Sequence, residues 1–462
     1  MNNSFLFTFT LFVVFLQSCT QKDQPITQPN IIFIYTDDQR EDALGIYENE
    51  VIQTPQLDKL AQQGVVFTNA NVVFSLCSPS RAALLTGRYG SANGVLHLGS
   101  GLNEGEKTIA QHLKQAGYQT AMSGKWHLKQ KPSDLGFDFS VYFQSNGTYY
   151  GRKVNDEGKT IHPENHCDEY CVERSIDFLE EAAKGNQPFF LFHCPQLPHM
   201  DHKHAWNAAK ASLEKYNIDD MPIPASRLDD LGGKPEYLKT VRNLKQSKVY
   251  GYPEKQAIQQ HTRDYYAIIS EMDIFLGRLF ETVNRLGLRE NTYIFVMSDN
   301  GWILGEHGFT SKVLPYAPSA KVPLFVIGPD LKSRTEKRIA LNIDMAPTIL
   351  EMAGVKMPDE MHGQSLFPIL QNKKTNWRTS FIYEGMGNYG GALPNLAAYD
   401  GTYRLIQTYQ NETMKEVNFN ELYDNREDPD ELKNIYNDPE HADIVNKLLQ
   451  EIANHKKNIL NH

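Results

Sequence analysis

The run Asn30-Ile31-Ile32-Phe33-Ile34-Tyr35 leaves no polar face. A half-buried strand would alternate apolar with polar residues. A continuous β-rich run must be covered on both sides, as in a parallel sheet between layers of helices. Similar runs return at Val65–Thr68, Tyr118–Met122, Pro188–Cys194, Thr292–Met297 and Pro323–Gly328. Helical spacing fills the gaps, at Pro55–Gly64, Ser80–Thr86, Lys107–Ala116, Cys171–Ala183, Asp264–Leu286 and Ile343–Gly354. This alternation predicts an α/β fold, a large and mostly parallel sheet sandwiched by helices. At 462 residues the chain exceeds one minimal domain, so the large domain is placed at 30–370 and a smaller subdomain at 371–462. In the second part, Ser380–Tyr383, Leu396–Tyr399 and Tyr403–Tyr409 are separated by Gly and Asn and read as antiparallel strands. A helix over about His441–Lys457 would cover them. The stretch 200–260 is polar and without period, and reads as a long insertion over the active face.

The strands share a second property: chemistry gathers where they end. Tyr35 is followed by Thr36-Asp37-Asp38, Met122 by Ser123-Gly124-Lys125-Trp126-His127, Cys194 by Pro195-Gln196-Leu197-Pro198-His199, and Met297 by Ser298-Asp299-Asn300-Gly301. Open α/β sheets bind ligands at the carboxyl ends of their strands. Adjacent carboxylates repel, which favours a cation between them, although a solvated turn has the same composition. Cys77-Ser78-Pro79-Ser80-Arg81 opens a helix, with Pro79 suited to its first turn. Cys77 then sits at the positive end of that helix with a guanidinium one turn away, a setting for a reactive thiol or an anion; a buried core cysteine is the plain alternative. Together Asp37, Asp38, Asp299 and Asn300 supply oxygen ligands for a hard divalent cation such as Ca²⁺. Arg81, Lys125 and Lys312 could neutralise a tetrahedral oxyanion, and His127 and His199 could move protons.

The formal net charge of −10 lacks the basic footprint of a nucleic-acid binder, but it does not exclude a local cationic pocket for an anionic substrate. Phe5–Leu16 is too short to span a bilayer and suits a signal-peptide core. It ends in Leu16-Gln17-Ser18-Cys19, which resembles a bacterial lipobox with Cys19 as the lipidated residue. Gln17 and a leader without Lys or Arg depart from that pattern, and simple secretion is the alternative. The segments are therefore a signal peptide over 1–19 and a tether over 20–29, with export to the periplasm or the cell surface expected. Five cysteines do not make a disulfide framework. Cys167 and Cys171 are read as half-buried helix residues, and Cys194 as core.

The motifs Thr-Asp-Asp, Cys-Ser-Pro-Ser-Arg with Leu-Leu-Thr-Gly-Arg, Gly-Lys-Trp-His, Pro-His, Ser-Asp-Asn-Gly and Gly-Glu-His-Gly occur in this order. With Glu421-Leu422-Tyr423-Asp424 near the end, they cover about residues 30–437 and resemble the sulfatase family of the alkaline-phosphatase superfamily. The resemblance implies an alkaline-phosphatase-like sheet and hydrolysis of sulfate esters. It implies that a maturase oxidises Cys77 to formylglycine, whose hydrate is the nucleophile, and that Asp37, Asp38, Asp299, Asn300 and residue 77 hold one Ca²⁺. Arg81 would help ionise the diol, which expels sulfate by collapsing to the aldehyde with His127 as base. Lys125, His199 and Lys312 would hold sulfate oxygens, with His199 or Lys312 protonating the leaving oxygen. The implied substrate is a sulfated carbohydrate, such as a marine algal glycan.

Two departures touch the substrate side. Pro198-His199-Met200-Asp201 stands where many relatives have Pro-His-x-Pro, and Tyr316-Ala317-Pro318-Ser319-Ala320-Lys321-Val322-Pro323 where many have Tyr-Glu-x-Ser-x-Arg-Val-Pro. His97, His202, His204, Tyr149, Tyr150 and Tyr389 are candidates for substrate contact and equally readable as loop residues. The competing functions are a phosphodiester or phosphonate monoester hydrolase and a non-catalytic glycan-binding lipoprotein.

Overall fold

The computed structural model describes residues 28–387 and 389–460; the leader, the lipobox with Cys19 and most of the tether lie outside the described residues. Ten strands form the main sheet, ordered Arg334–Glu336, Val65–Phe67, Leu324–Ile327, Thr292–Ser298, Asn30–Thr36, Phe189–Cys194, Gln119–Lys125, Phe139–Phe143, Val154–Asp156 and Lys159–Ile161. The block from Thr292–Ser298 to Phe139–Phe143 is parallel throughout. Leu324–Ile327 runs antiparallel to both of its neighbours.

The Asn30–Thr36 strand is central and every residue in it is buried. Ile31, Phe33 and Tyr35 join the core on one face; Ile32 and Ile34 join the core on the other. That is the covering on both sides which the unbroken apolar run demands. Fully burying each such side chain stabilises the fold by about 1.5–3 kcal/mol. The second face is closed by the long helix Lys255–Arg285, through Tyr265, Ile268, Met272, Leu276 and Val283.

Helix Cys77–Thr86 is buried along its whole length and ends at Gly87, whose φ of 68° is the left-handed C-cap that glycine allows. Tyr35 Oη lies 2.9 Å from Ser80 Oγ, and Asn342 Nδ2 donates to the same oxygen at 3.0 Å. These bonds fix the helix against the central strand. Gly124 lies in the Gln119–Lys125 strand where a Cβ would come within 2.0 Å of the Cys194 carbonyl, so only glycine lets that strand deliver Lys125.

In the C-terminal part, Phe381–Gly385, Asn395–Tyr399, Tyr403–Tyr409 and Val417–Asp424 form an antiparallel sheet. Helix Ala442–His455 covers one face through Val445, Leu448 and Ile452. Tyr383, Ala397, Ile406 and Tyr423 on the other face pack against Val73, Phe74, Leu76, Val313 and Tyr316. The subdomain therefore backs the segment leading into Cys77 and the turn that follows Lys312.

Several expectations need correction. The helix placed at Cys171–Ala183 spans Cys167–Ala182, because the His166 ring accepts the Asp168 N–H at 3.1 Å and caps it a turn earlier. Cys167 and Cys171 are fully rather than half buried, and both are free. The helix placed at Asp264–Leu286 begins at Lys255. The 200–260 insertion contains an ordered helix, Arg242–Val249. Phe139–Phe143, Val154–Asp156 and Lys159–Ile161 extend the sheet, and Val417–Asp424 is a fourth strand of the small sheet; none of these was expected as a strand. They are edge or half-exposed segments whose order comes from ladder pairing, a contribution that local composition does not reveal. Among the described residues, no helix is long and apolar enough to cross a membrane.

Candidate active site

Four strand ends and one helix start bring the predicted residues together. Asp37 and Asp38 follow the central strand, Asp299 and Asn300 follow its parallel neighbour, His199 lies beyond the end of Phe189–Cys194, and Lys125 ends the Gln119–Lys125 strand. Cys77 enters from the first turn of its helix. One ligand atom each from Asp37, Asp38, Cys77 and His199 lies within 4.8 Å of all the others. The Cys77 thiol donates to Asp37 Oδ1 at 3.3 Å, and its sulfur lies 3.5 Å from Lys125 Nζ and 2.8 Å from Lys312 Nζ. Lys125 pairs with Asp37, and Lys312 with Asp38. Arg81 donates to Asp299 Oδ2 through Nε at 3.0 Å and to the Lys125 carbonyl through Nη1 at 2.8 Å. Asn300 Nδ2 donates to Asp38 Oδ1 at 2.6 Å. His199 Nδ1–H donates to the Met200 carbonyl at 2.7 Å, leaving Nε2 3.5 Å from Asp38 Oδ2.

Residues 29–355 match the family model described as Sulfatase, and 305–458 match the model described as N-sulphoglucosamine sulphohydrolase, C-terminal. The chain belongs to the sulfatase family. An N-acetylglucosamine-6-O-sulfatase of Bacteroides thetaiotaomicron is 31% identical, over 96% of this chain and 89% of its own. An ulvan-active sulfatase of Formosa agariphila is 28% identical, over 94% of this chain and 82% of its own. A solved structure of a protein in complex with its substrate, D-glucosamine-2-N,6-O-disulfate, aligns with a TM-score of 0.84 at 29% identity, covering 93% of this chain and 98% of that one. The protein is a sulfatase, a hydrolase of sulfate esters, with the expected α/β sheet and small antiparallel subdomain.

The electrostatics of the sulfatase site follow from burial. Asp37, Asp38 and Asp299 are at most 1% exposed, as is Arg81, and Lys125 is fully buried. Burial opposes ionisation of Asp37, yet Lys125, His199, Lys312 and Arg81 hold its carboxyl well below the usual range. Burial pushes Asp38 up to about 6 against the pull of Lys312. Burial and then the charge of Asp37 push Asp299 up to about 7 despite Arg81. Three carboxylates face three cations, burial being the main reason that Asp38 and Asp299 are raised, and among the described residues Asp38 Oδ2 has no hydrogen-bond partner. A hard divalent cation with oxygen ligands fits that donor set.

The sequence leaves Cys77 open between a reactive thiol and a buried cysteine; burial, and then Asp37, push it up to about 12 in spite of Lys125 and Lys312. Burial and then Lys125 push the His127 imidazole down to about 2 and that of His199 down to about 3. Ser78 Oγ donates to the His127 carbonyl at 2.6 Å, which ties His127 beside helix Cys77–Thr86.

Other predicted residues are placed differently. Tyr149 is buried and its hydroxyl donates to the His199 carbonyl at 2.9 Å, so it braces the His199 turn. Tyr389 accepts from Arg242 at 2.7 Å, while His97, Tyr150, His202 and His204 are exposed. In the Gly-Glu-His-Gly motif, Glu306 pairs with Arg40 at 2.6 Å and His307 with Asp229 at 2.7 Å, so both secure loops. Sequence reasoning missed Asp168, whose carboxylate accepts the N–H groups of Gln196 and Leu197, each at 2.9 Å, and sets the approach to His199. It also missed Trp302, whose ring lies 6.2 Å from that of His199 and 5.9 Å from Lys312 Nζ. Trp302 follows Asn300-Gly301 directly, and that adjacency was the available signal.

Proposed function

We propose that this sulfatase removes sulfate from a sulfated carbohydrate, with residue 77 working as formylglycine and one Ca²⁺ held by Asp37, Asp38, Asp299, Asn300 and residue 77. The observation that carries the reading is the buried cage around Cys77, whose sulfur meets Asp37, Lys125 and Lys312, with Asp38 paired to Lys312 and Arg81 paired to Asp299 behind them. The formylglycine hydrate would supply an oxygen nucleophile, and Ca²⁺ a charge that favours its ionised form and polarises the sulfate. Arg81, held by Asp299 and the Lys125 carbonyl, would help ionise the hydrate at residue 77. Lys125, Lys312 and His199 surround the position a sulfate would take and neutralise the charge that grows on its oxygens. His127 would take the proton when sulfate leaves. His199 would protonate the leaving oxygen through Nε2 only as the imidazolium, since Nδ1–H is committed to Met200; Lys312, whose ammonium already carries a proton, is the alternative acid.

The first substrate to test is 6-O-sulfated N-acetylglucosamine. It is supported by the relation to the Bacteroides enzyme and by the likeness to the glucosamine-disulfate complex. A sulfated polysaccharide such as ulvan is the second reading, favoured by the Formosa relative. Release of inorganic sulfate from both, beside an aryl phosphodiester, ranks them by kcat/KM. A phosphodiester preferred over every sulfate ester would overturn the sulfate reading. Peptide mass spectrometry of Cys77 from a host with the maturase should show the aldehyde, and Cys77→Ala should abolish turnover while leaving the fold intact. We also propose export as a lipoprotein anchored through Cys19, on the strength of Leu16-Gln17-Ser18-Cys19; an N-terminal peptide without lipid would refute it.

A further inference from the structure

Lys312 sits in a turn whose neighbours both have positive φ, 73° at Ser311 and 83° at Val313. Left-handed backbone is strained for residues with a Cβ, and most of all for a β-branched one. Such a conformation persists only where the surroundings over-determine it. Three side chains from distant segments do so here. Ser75 Oγ accepts the Val313 N–H at 3.2 Å, and the Tyr383 hydroxyl donates to the Val313 carbonyl at 2.7 Å. Asn243 Nδ2 donates to the carbonyls of Thr310 at 2.7 Å and of Lys312 itself at 2.9 Å.

Asn243 belongs to helix Arg242–Val249, in the insertion read from sequence as lying over the active face. One turn on, Ser247 Oγ donates to the Gly308 carbonyl at 2.5 Å. Residues four apart share a helix face. This face therefore lies along the hairpin and donates to the carbonyls of 308, 310 and 312 in succession. Asn243 is 5% exposed, so removing its amide leaves two carbonyls without that donor in a place water does not readily reach.

A lysine side chain has several rotatable bonds, and its ammonium group is placed only as well as its backbone and packing place it. We propose that Asn243 is a positioning residue for Lys312: by fixing the carbonyls of this strained turn, it holds the ammonium group against residue 77 and the sulfate. The proposal rests on the reading of Lys312 as a sulfate-facing cation. It gives the insertion helix a role in catalysis in addition to any contact with the sugar.

Calorimetry with inorganic sulfate, on the mature Ca²⁺-loaded protein, tests this without depending on the sugar. Asn243→Ala should weaken sulfate binding about tenfold, since a misplacement of about 1 Å costs up to 100-fold in such sites. Ser247→Ala, which loosens the same hairpin four residues away, should lower Tm and leave sulfate affinity within about twofold of wild type. In a Lys312→Ala background, Asn243→Ala should add nothing. If Asn243→Ala does not fold, Asn243→Ser, which keeps one donor, takes its place. Wild-type affinity in Asn243→Ala, an equal loss in Ser247→Ala, or a further tenfold loss on top of Lys312→Ala would each overturn the proposal. Wild-type affinity in Lys312→Ala alone would instead overturn the underlying reading of Lys312, and the proposal with it.

Discussion

Arg81 lets the energetics of the cage be separated from its chemistry. Its guanidinium lies 2.9 Å from Asp299 Oδ2, and both side chains are at most 1% exposed. At an effective dielectric near 20, that separation corresponds to about 6 kcal/mol of attraction. Desolvating the two groups offsets much of this, and removing one partner of a buried pair costs about 3–5 kcal/mol because the other charge stays behind. Arg81→Met keeps most of the volume and strands Asp299. At about 2.1 cal/mol/K per residue, roughly 430 described residues give an unfolding entropy near 0.9 kcal/mol/K, so Tm should fall by about 3–6 °C. Calorimetry in EGTA measures that shift, and sulfate release measures turnover, which should drop at least about a thousandfold if the guanidinium stabilises the transition state. Adding Asp299→Leu removes the stranded carboxylate; stability should recover while turnover does not, because well-packed apolar replacements of buried pairs are often neutral or better. A Tm within about 1 °C of wild type for Arg81→Met would refute the electrostatic account. A double variant that regains turnover would refute the catalytic one.

Three further outcomes are expected. Chelation with EGTA should abolish sulfate release, and Ca²⁺ at about 100 times its Kd should restore it and add about 2.7 kcal/mol of stability; full activity in EGTA would refute the metal reading. Asp168→Ala should cost about 2–4 kcal/mol by stranding the N–H groups of Gln196 and Leu197, and should slow turnover through His199; an unchanged urea midpoint would count against this. Burial pushes His193 down to about 3 from an ordinary value near 6.5. Above pH ~6.5 folded and unfolded chains are both neutral at this site; below it only the unfolded chain takes up the proton, so stability falls by about 1.4 kcal/mol per pH unit until about pH 3. His193→Gln should flatten that slope between about pH 4 and 6, and an unaltered slope would refute the assignment.

The catalytic cage was legible because its parts are local. Asp37-Asp38, Lys125 and Asp299-Asn300 each stand at the end of an apolar run, and parallel strands bring their carboxyl ends to one edge. Cys77 and Arg81 share the first turn and a half of one helix, which Pro79 and Gly87 delimit in the sequence itself. The supports were not legible. Asp168 reaches Gln196 across 28 residues, Ser75 reaches Tyr383 across 308, and Asn243 reaches Lys312 across 69. No short-range pattern marks those pairings, because a buried amide or carboxylate that braces a loop is indistinguishable in sequence from a surface one. The unforeseen outer strands of the main sheet, Arg334–Glu336 among them, failed for a related reason. Lys159–Ile161 is largely exposed, and its order comes from its partner rather than from its composition.

Cys77 shows how far local reasoning carries and where packing takes over. A helix start and a cation one turn away argue for a lowered pKa, and both features are present. What neighbouring residues cannot convey is that the helix is buried from end to end and that Asp37 lies 3.3 Å from the sulfur. These two effects outweigh Lys125 and Lys312, and the thiol stands at about 12. Burial and Asp37 thus hold this thiol in its protonated form at neutral pH, whereas an ordinary cysteine is a few per cent ionised. A cage that holds so many charged groups around a sulfur it does not ionise is poorly built for thiolate attack. It is better matched to an oxygen nucleophile at the same position, which favours conversion of Cys77 over use of the cysteine as it stands.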